Sequence, residues 1–213
     1  MNVMMKQPDY EAVGPAFEFA KMLEQRDRTR EVISAIAAAV RPGMVEEDAV
    51  EMAKGLLAER KMLRGWHDVY VRFGSNTTKT FGEASDPGVV LGETDIFLIG
   101  ADADMARCAA DARAIFHAGR HLWLNEGLSG KALYEFAVDE AAKRGWALNM
   151  DLSGHRISDF PHSVIYDGPM ADMDFAPTAG LWVLEIHIRH PSKPFGAFFE
   201  DMLLDDSYFP YLD

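Results

Sequence analysis

The sequence predicts an α+β fold in which one α-α-β-β unit is used twice. Two observations lead to it. First, a glycine-led loop and the amphipathic helix behind it recur after 84 residues: Gly127 falls on Gly43, Leu128 on Met44, Glu135 on Glu51, Phe136 on Met52, Ala137 on Ala53 and Arg144 on Arg60. Second, each helical half is followed by segments whose apolar residues alternate or run together as strands do. Chance likeness between two amphipathic helices is the competing account, and the matching loop ahead of each helix weighs against it.

The elements follow in order. Residues 10 to 40 read as helical, with "TREVISAIAAAV" the clearest part, and "RPGM" at 41–44 stops the helix and turns the chain. "VEEDAVEMAKGLLAERKM" opens with acids that suit a helix N-terminus and sets Ala49, Met52, Ala53 and Leu56 on one face. "WHDVYVRFG" alternates as a strand, "SNTTKTFGEASDPGVVLGE" reads as loop, and "DIFLI" is a short apolar strand. Then Met105, Cys108, Ala112, Ile115, Phe116, Gly119, Leu122 and Trp123 form a helical stripe. "NEGLSGKALYEFAVDEAAKRGW" is the next helix, and "GLWVLEIHI" and "AFFEDMLL" are strands joined by a turn through "RHPSKPFG". We expect one domain over 1–213, with a helical extension at 1–28, a first half at 29–100 and a second half at 101–213.

Composition narrows the function. A formal charge of −13 argues against a polyanionic partner, because nucleic-acid binding depends on Lys and Arg neutralising phosphates. The first twenty residues hold no apolar run of signal-peptide length and no segment approaches a membrane span, so a cytoplasmic protein without a membrane partner is expected. A single cysteine, Cys108, cannot form an internal disulfide and falls on the apolar stripe as a core residue.

Three aspartates stand where "DIFLI" gives way to the helix. Asp102 suits an N-cap, Asp104 a first-turn acid and Asp111 a helix flank; the alternative makes them half of a metal site. The two strands near the C-terminus resist a purely structural account. Alternation sets Val183, Glu185 and His187 on one face, and Glu200 beside Phe198, Met202 and Leu204, so both glutamates are expected to be buried. Burying two ionised carboxylates costs several kcal/mol unless something compensates, and a divalent metal between them would do so. The structural alternative has each bonded to an arginine or to backbone donors. "SGHRISDFPHS" adds His155 and, seven residues on, His162, as a ligand and a nearby proton-transfer group. His187 points to the side of Glu185 and is a candidate extra ligand or substrate contact. His67, His117, His121 and His190 read as ordinary.

"GHRISDFPHS", "LWVLEIHI" and "FGAFFEDMLL", in that order, resemble the pita-bread metallopeptidase family of methionine aminopeptidases, Xaa-Pro aminopeptidases, prolidases and creatinase. The resemblance covers residues 29 to 205 and runs nearest to the Xaa-Pro aminopeptidase branch. It implies the pita-bread fold with its internal pseudo-two-fold duplication. It also implies metal-binding His155, catalytic His162, Glu185 in place of the strand glutamate of an "EPG"-like motif, and Glu200 as the glutamate of an "ED" pair. The departures are as informative. The family carries two aspartate ligands on a hairpin after the strand matching "DIFLI"; here the helical stripe follows directly, which implies a first-half hairpin deleted by about 15 to 20 residues. "Glu-Ile-His" replaces Glu-Pro-Gly, Ser163 follows His162 where a glutamate is common, and Phe81 lies near where relatives place a substrate-binding histidine.

What the resemblance then implies is a metal-dependent hydrolase with a reduced site of His155, Glu185 and Glu200. At most one divalent ion (Mn, Zn or Fe) would be held per chain, or none. The substrate would be a small peptide or amide-like molecule, and the protein a homodimer. One alternative is a catalytically inactive protein of this fold kept for binding, since folds outlive their chemistry. Another is metal-free catalysis on a small guanidino or amidino compound through the His162 region.

Overall fold

The computed structural model describes residues 10–63, 68–93, 103–157 and 168–210. Four helices dominate it: α1 (Phe19–Ala39), α2 (Glu46–Glu59), α3 (Ala103–Glu126) and α4 (Gly130–Lys143). The expected first helix is shorter than residues 10 to 40, because 10–18 form turns and irregular chain whose Tyr10 and Ala12 carbonyls accept from Arg156. It ends where Pro42 and Gly43 follow, with Gly43 at φ +85°, a conformation that costs a glycine little.

The duplication is written into the helix ends. α2 and α4 are each 14 residues long and start and stop 84 residues apart. Both also finish with the same device. Lys61 (φ +57°) and Gly145 (φ +84°) turn left-handed, and the next amide, Met62 or Trp146, donates to the carbonyl of Leu57 or Ala141 at 2.8 and 2.9 Å. Two unrelated amphipathic helices would share a stripe but not length, cap and closing bond together. The first half accepts Lys61 where the second has glycine, at a cost of about 1 kcal/mol.

The described strands all come from the second half and form one antiparallel sheet. They are β1 (Ala147–Leu148), β2 (His155–Arg156), β3 (Trp182–Arg189) and β4 (Gly196–Met202). β3 is central: β4 runs along its whole length on one edge, while β1 and β2 pair with its opposite ends on the other. The face carrying Leu184, Ile186 and Ile188 packs under α3 and α4, and Gly119 of α3 approaches Leu184 closely enough that an added Cβ would touch it. Cys108, Ala112, Ile115, Phe116 and Trp123 of the expected stripe join that core with Leu133, Tyr134 and Ala137 of α4. Each fully buried large apolar side chain there contributes roughly 1.5–3 kcal/mol.

The first half has its own smaller core of Val40, Ala49, Ala53, Val71, Phe73 and Leu91. "WHDVYVRFG" departs from expectation here. Residues 68–73 make no strand, although Val71 and Phe73 are buried while Asp68 and Tyr70 are exposed, so the alternation reports sidedness without a ladder. A 3-10 turn at Gly74–Thr78 follows it. "DIFLI" and Asp102 lie outside the described residues.

Candidate metal centre

The centre is built by alternation on two paired strands. In the β3–β4 register Glu185 stands directly opposite Glu200, and His187 opposite Phe198, so all four side chains share one face. β2 brings in the third group, His155 pairing with Val183. One ligand atom from each of His155, Glu185 and Glu200 falls within 4.8 Å of the others. His155 Nδ1 lies 3.2 Å from the Arg156 carbonyl, which can only accept, so Nδ1 carries a hydrogen and Nε2 is the atom that would ligate an ion.

Glu185 is held from behind. The gap in the broken strand between β1 and β2 would strand its backbone, and Tyr134 of α4 fills it. The Tyr134 hydroxyl donates to the Glu185 carbonyl at 2.9 Å and accepts from its amide at 3.1 Å. The Gly154 amide donates to Glu185 Oε2 at 3.0 Å. Gly154 must be glycine: its φ is +74°, and a Cβ would meet Met170 Cβ, the Tyr134 hydroxyl and the Val183 carbonyl at 2.9 Å each.

A contrast within the molecule shows what the glutamate pair lacks. Glu46 is buried and satisfied structurally, accepting from the Phe73 amide at 2.6 Å and from Asn76 Nδ2 at 3.0 Å. Glu185 has one backbone donor and then a second carboxyl. Among the described residues neither Glu185 nor Glu200 pairs with an arginine or lysine. Burial raises the Glu185 carboxyl to about 7, against the Gly154 amide and the Glu200 hydrogen bond, which lower it. Loss of water and then the Glu185 charge raise Glu200 to about 7 as well, with His155 opposing. One expectation is corrected: Glu200 is exposed, not buried, because β4 is an edge strand whose outer positions reach solvent. One imidazole lone pair and two carboxyls that repel when ionised are a donor set that fits a divalent ion.

His187 stands apart from this group. Its Nε2 lies 3.0 Å from the Thr77 carbonyl and its Nδ1 3.1 Å from Asn149 Nδ2. Both ring nitrogens are thus engaged, Nε2 tying β3 to the first half and Nδ1 to the segment after β1. Asp111 is a helix-flank residue, bonded to Arg144 at 2.7 Å and Trp146 Nε1 at 2.8 Å, and Asp104 bonds Lys193 at 2.6 Å. His162 and Ser163 lie outside the described residues. Sequence reading missed Asp201, which binds Arg26 through two bonds of 2.6 and 2.9 Å and Arg30 at 2.5 Å. It missed Tyr134 as well. The only sequence signal for the former is a pair of arginines one helical turn apart on α1.

A sequence model of metallopeptidase family M24 matches residues 20–122. The same architecture recurs in solved structures that share little sequence. An X-Pro aminopeptidase from Thermotoga maritima superposes with a TM-score of 0.66 at 18% identity, over 88% of this chain and 61% of that one. A dipeptidase from Pyrococcus horikoshii gives 0.68 at 18% identity, over 88% and 60%. This is the pita-bread fold of metallopeptidase family M24. A methionine aminopeptidase from Rickettsia prowazekii gives 0.63 at 13% identity, over 86% of this chain and 91% of that one. Against the Xaa-Pro aminopeptidase and dipeptidase structures, the chain spans about 60% of the partner's length. No curated protein matches the sequence. The M24 match stops within α3, ahead of the strands that bear His155, Glu185 and Glu200. No described helix is long and apolar enough to cross a membrane.

Proposed function

We propose that the protein is a metal-dependent hydrolase resembling Xaa-Pro aminopeptidases, with one metal site made of His155, Glu185 and Glu200. The observation that carries this reading is the direct opposition of Glu185 and Glu200 beside the His155 ring. A divalent ion held there would polarise a carbonyl and lower the pKa of a bound water. The chain's own part is to fix the donors. Tyr134 and Gly154 hold Glu185 from its backbone and its Oε2, and the Arg156 carbonyl orients His155. His162 is assigned proton transfer at the substrate on sequence grounds. The substrate class is a small peptide or amide-like molecule, and 1–213 acts as one catalytic-type domain, forming a homodimer.

A second reading is favoured by a different observation. Glu185 and Glu200 bond to each other, so one shared proton lets the pair persist without an ion, as a non-catalytic binding protein of this fold would need. Elemental analysis after supplementation with Mn, Zn and Fe(II) separates the two. About one equivalent per chain, lost in Glu185→Ala and Glu200→Ala, supports the hydrolase. No metal in the wild type supports the binding protein.

A further inference from the structure

We propose that Phe198 determines specificity, offering an apolar wall to a substrate side chain next to the bond that the carboxylate centre acts on. This rests on the metal-site reading above. Phe198 precedes Glu200 by two positions on β4, so its ring rises from the same face, with the two Cβ atoms about 7 Å apart. That distance sets the ring beside a group bound at the centre. Phe198 is 46% exposed, although β3 beside it is buried from Trp182 to Ile188. The ring thus stands open on the face that carries the candidate centre.

The ring is also held in place. His187, its cross-strand partner, meets it edge-on, with centroids 5.9 Å apart and planes at 82°. His187 cannot swing away, because Nε2 donates to the Thr77 carbonyl and Nδ1 accepts from Asn149 Nδ2. The amide of Asn149 is fixed in turn, since its Oδ1 accepts from the Asp151 amide at 3.2 Å. A chain of Asp151, Asn149, His187 and Thr77 thus braces an open aromatic surface from both halves of the molecule. Such a wall favours branched aliphatic or aromatic side chains over glycine and cannot pair with a charge.

The test uses metal-loaded full-length protein and calorimetric binding of the hydroxamates of glycine, leucine and phenylalanine, which chelate the ion and differ only in the side chain. The wild type is expected to prefer leucine and phenylalanine hydroxamates by about tenfold or more over glycine. Phe198→Ala should bring the three within about twofold with metal content unchanged, and Phe198→Leu should keep the leucine preference. Metal uptake with no preference in the wild type, or with the preference intact in Phe198→Ala, overturns the assignment alone. Absence of metal overturns both the assignment and the reading beneath it. A dimer that dissociates in Phe198→Ala makes the ring an interface residue and also overturns the assignment.

Discussion

The metal-free protein should lose stability as pH rises through neutrality, and Glu185→Gln should abolish that loss. Glu185 is 7% exposed and its carboxyl is raised from 4.5 to about 7. A folded-state pKa above the unfolded one means that the folded protein holds the proton more tightly. The stabilisation is therefore fully present below about 4.5 and is lost as pH climbs through about 7. At 1.36 kcal/mol per pH unit, the shift sets an upper bound of roughly 3 kcal/mol. Glutamine imitates the protonated acid at every pH, its oxygen facing the Gly154 amide and its NH2 facing Glu200.

Urea unfolding of chelator-treated wild type and Glu185→Gln from pH 5 to 8 reads the difference, and the subtraction removes titrations common to both. The wild type should match the variant near pH 5 and fall below it at pH 8 by up to roughly 3 kcal/mol. Adding a divalent ion should reverse the trend in the wild type, because ligation needs both carboxylates ionised and so strengthens as pH rises. A difference that is flat, or that favours the wild type more at pH 8, refutes the shared proton.

Tyr134→Phe leaves the Glu185 amide and carbonyl buried without their shared partner and should cost about 2 kcal/mol, read by urea denaturation. Gly154→Ala forces a left-handed alanine against three atoms at 2.9 Å and should cost about 3 kcal/mol or more, with metal content falling alongside stability. Asp201→Ala leaves Arg26, whose side chain is only 8% exposed, without its carboxylate; a loss of about 3 kcal/mol is expected in thermal or chemical unfolding. Metal content of folded Asp201→Ala should stay at the wild-type level, because Asp201 faces away from the centre.

Periodicity carried most of the fold. The stripe from Met105 to Trp123 is one face of α3, and the shift of 84 residues predicted from six paired positions reappears in helix length and capping. Where it misled, the cause is physical: alternation in 68–73 reflects which side is buried and says nothing of whether a neighbouring strand supplies hydrogen bonds. Tyr134 escaped notice because a core aromatic and an aromatic whose hydroxyl bridges a strand gap occupy the same helical position in a sequence. Its role exists only because the chain breaks between β1 and β2, and nothing in "NMDLSG" announces that break.

The dipeptide Glu200–Asp201 shows how far local pattern can be pushed. Adjacent residues on a strand face opposite sides, so the two acids must meet different environments. One side holds Glu185 and His155. The other holds α1, whose Arg26 and Arg30 close on Asp201. α1 fully buries only Val32, with Met22, Leu23 and Ile36 partly buried against the two cores, so the ion pairs to Asp201 fix where it docks. The same strand is therefore anchored to α1 through one carboxylate and sets the other against Glu185. Period-two alternation separates the two roles, but the identity of each partner depends on residues about 170 positions away in the chain, beyond the reach of any local reading.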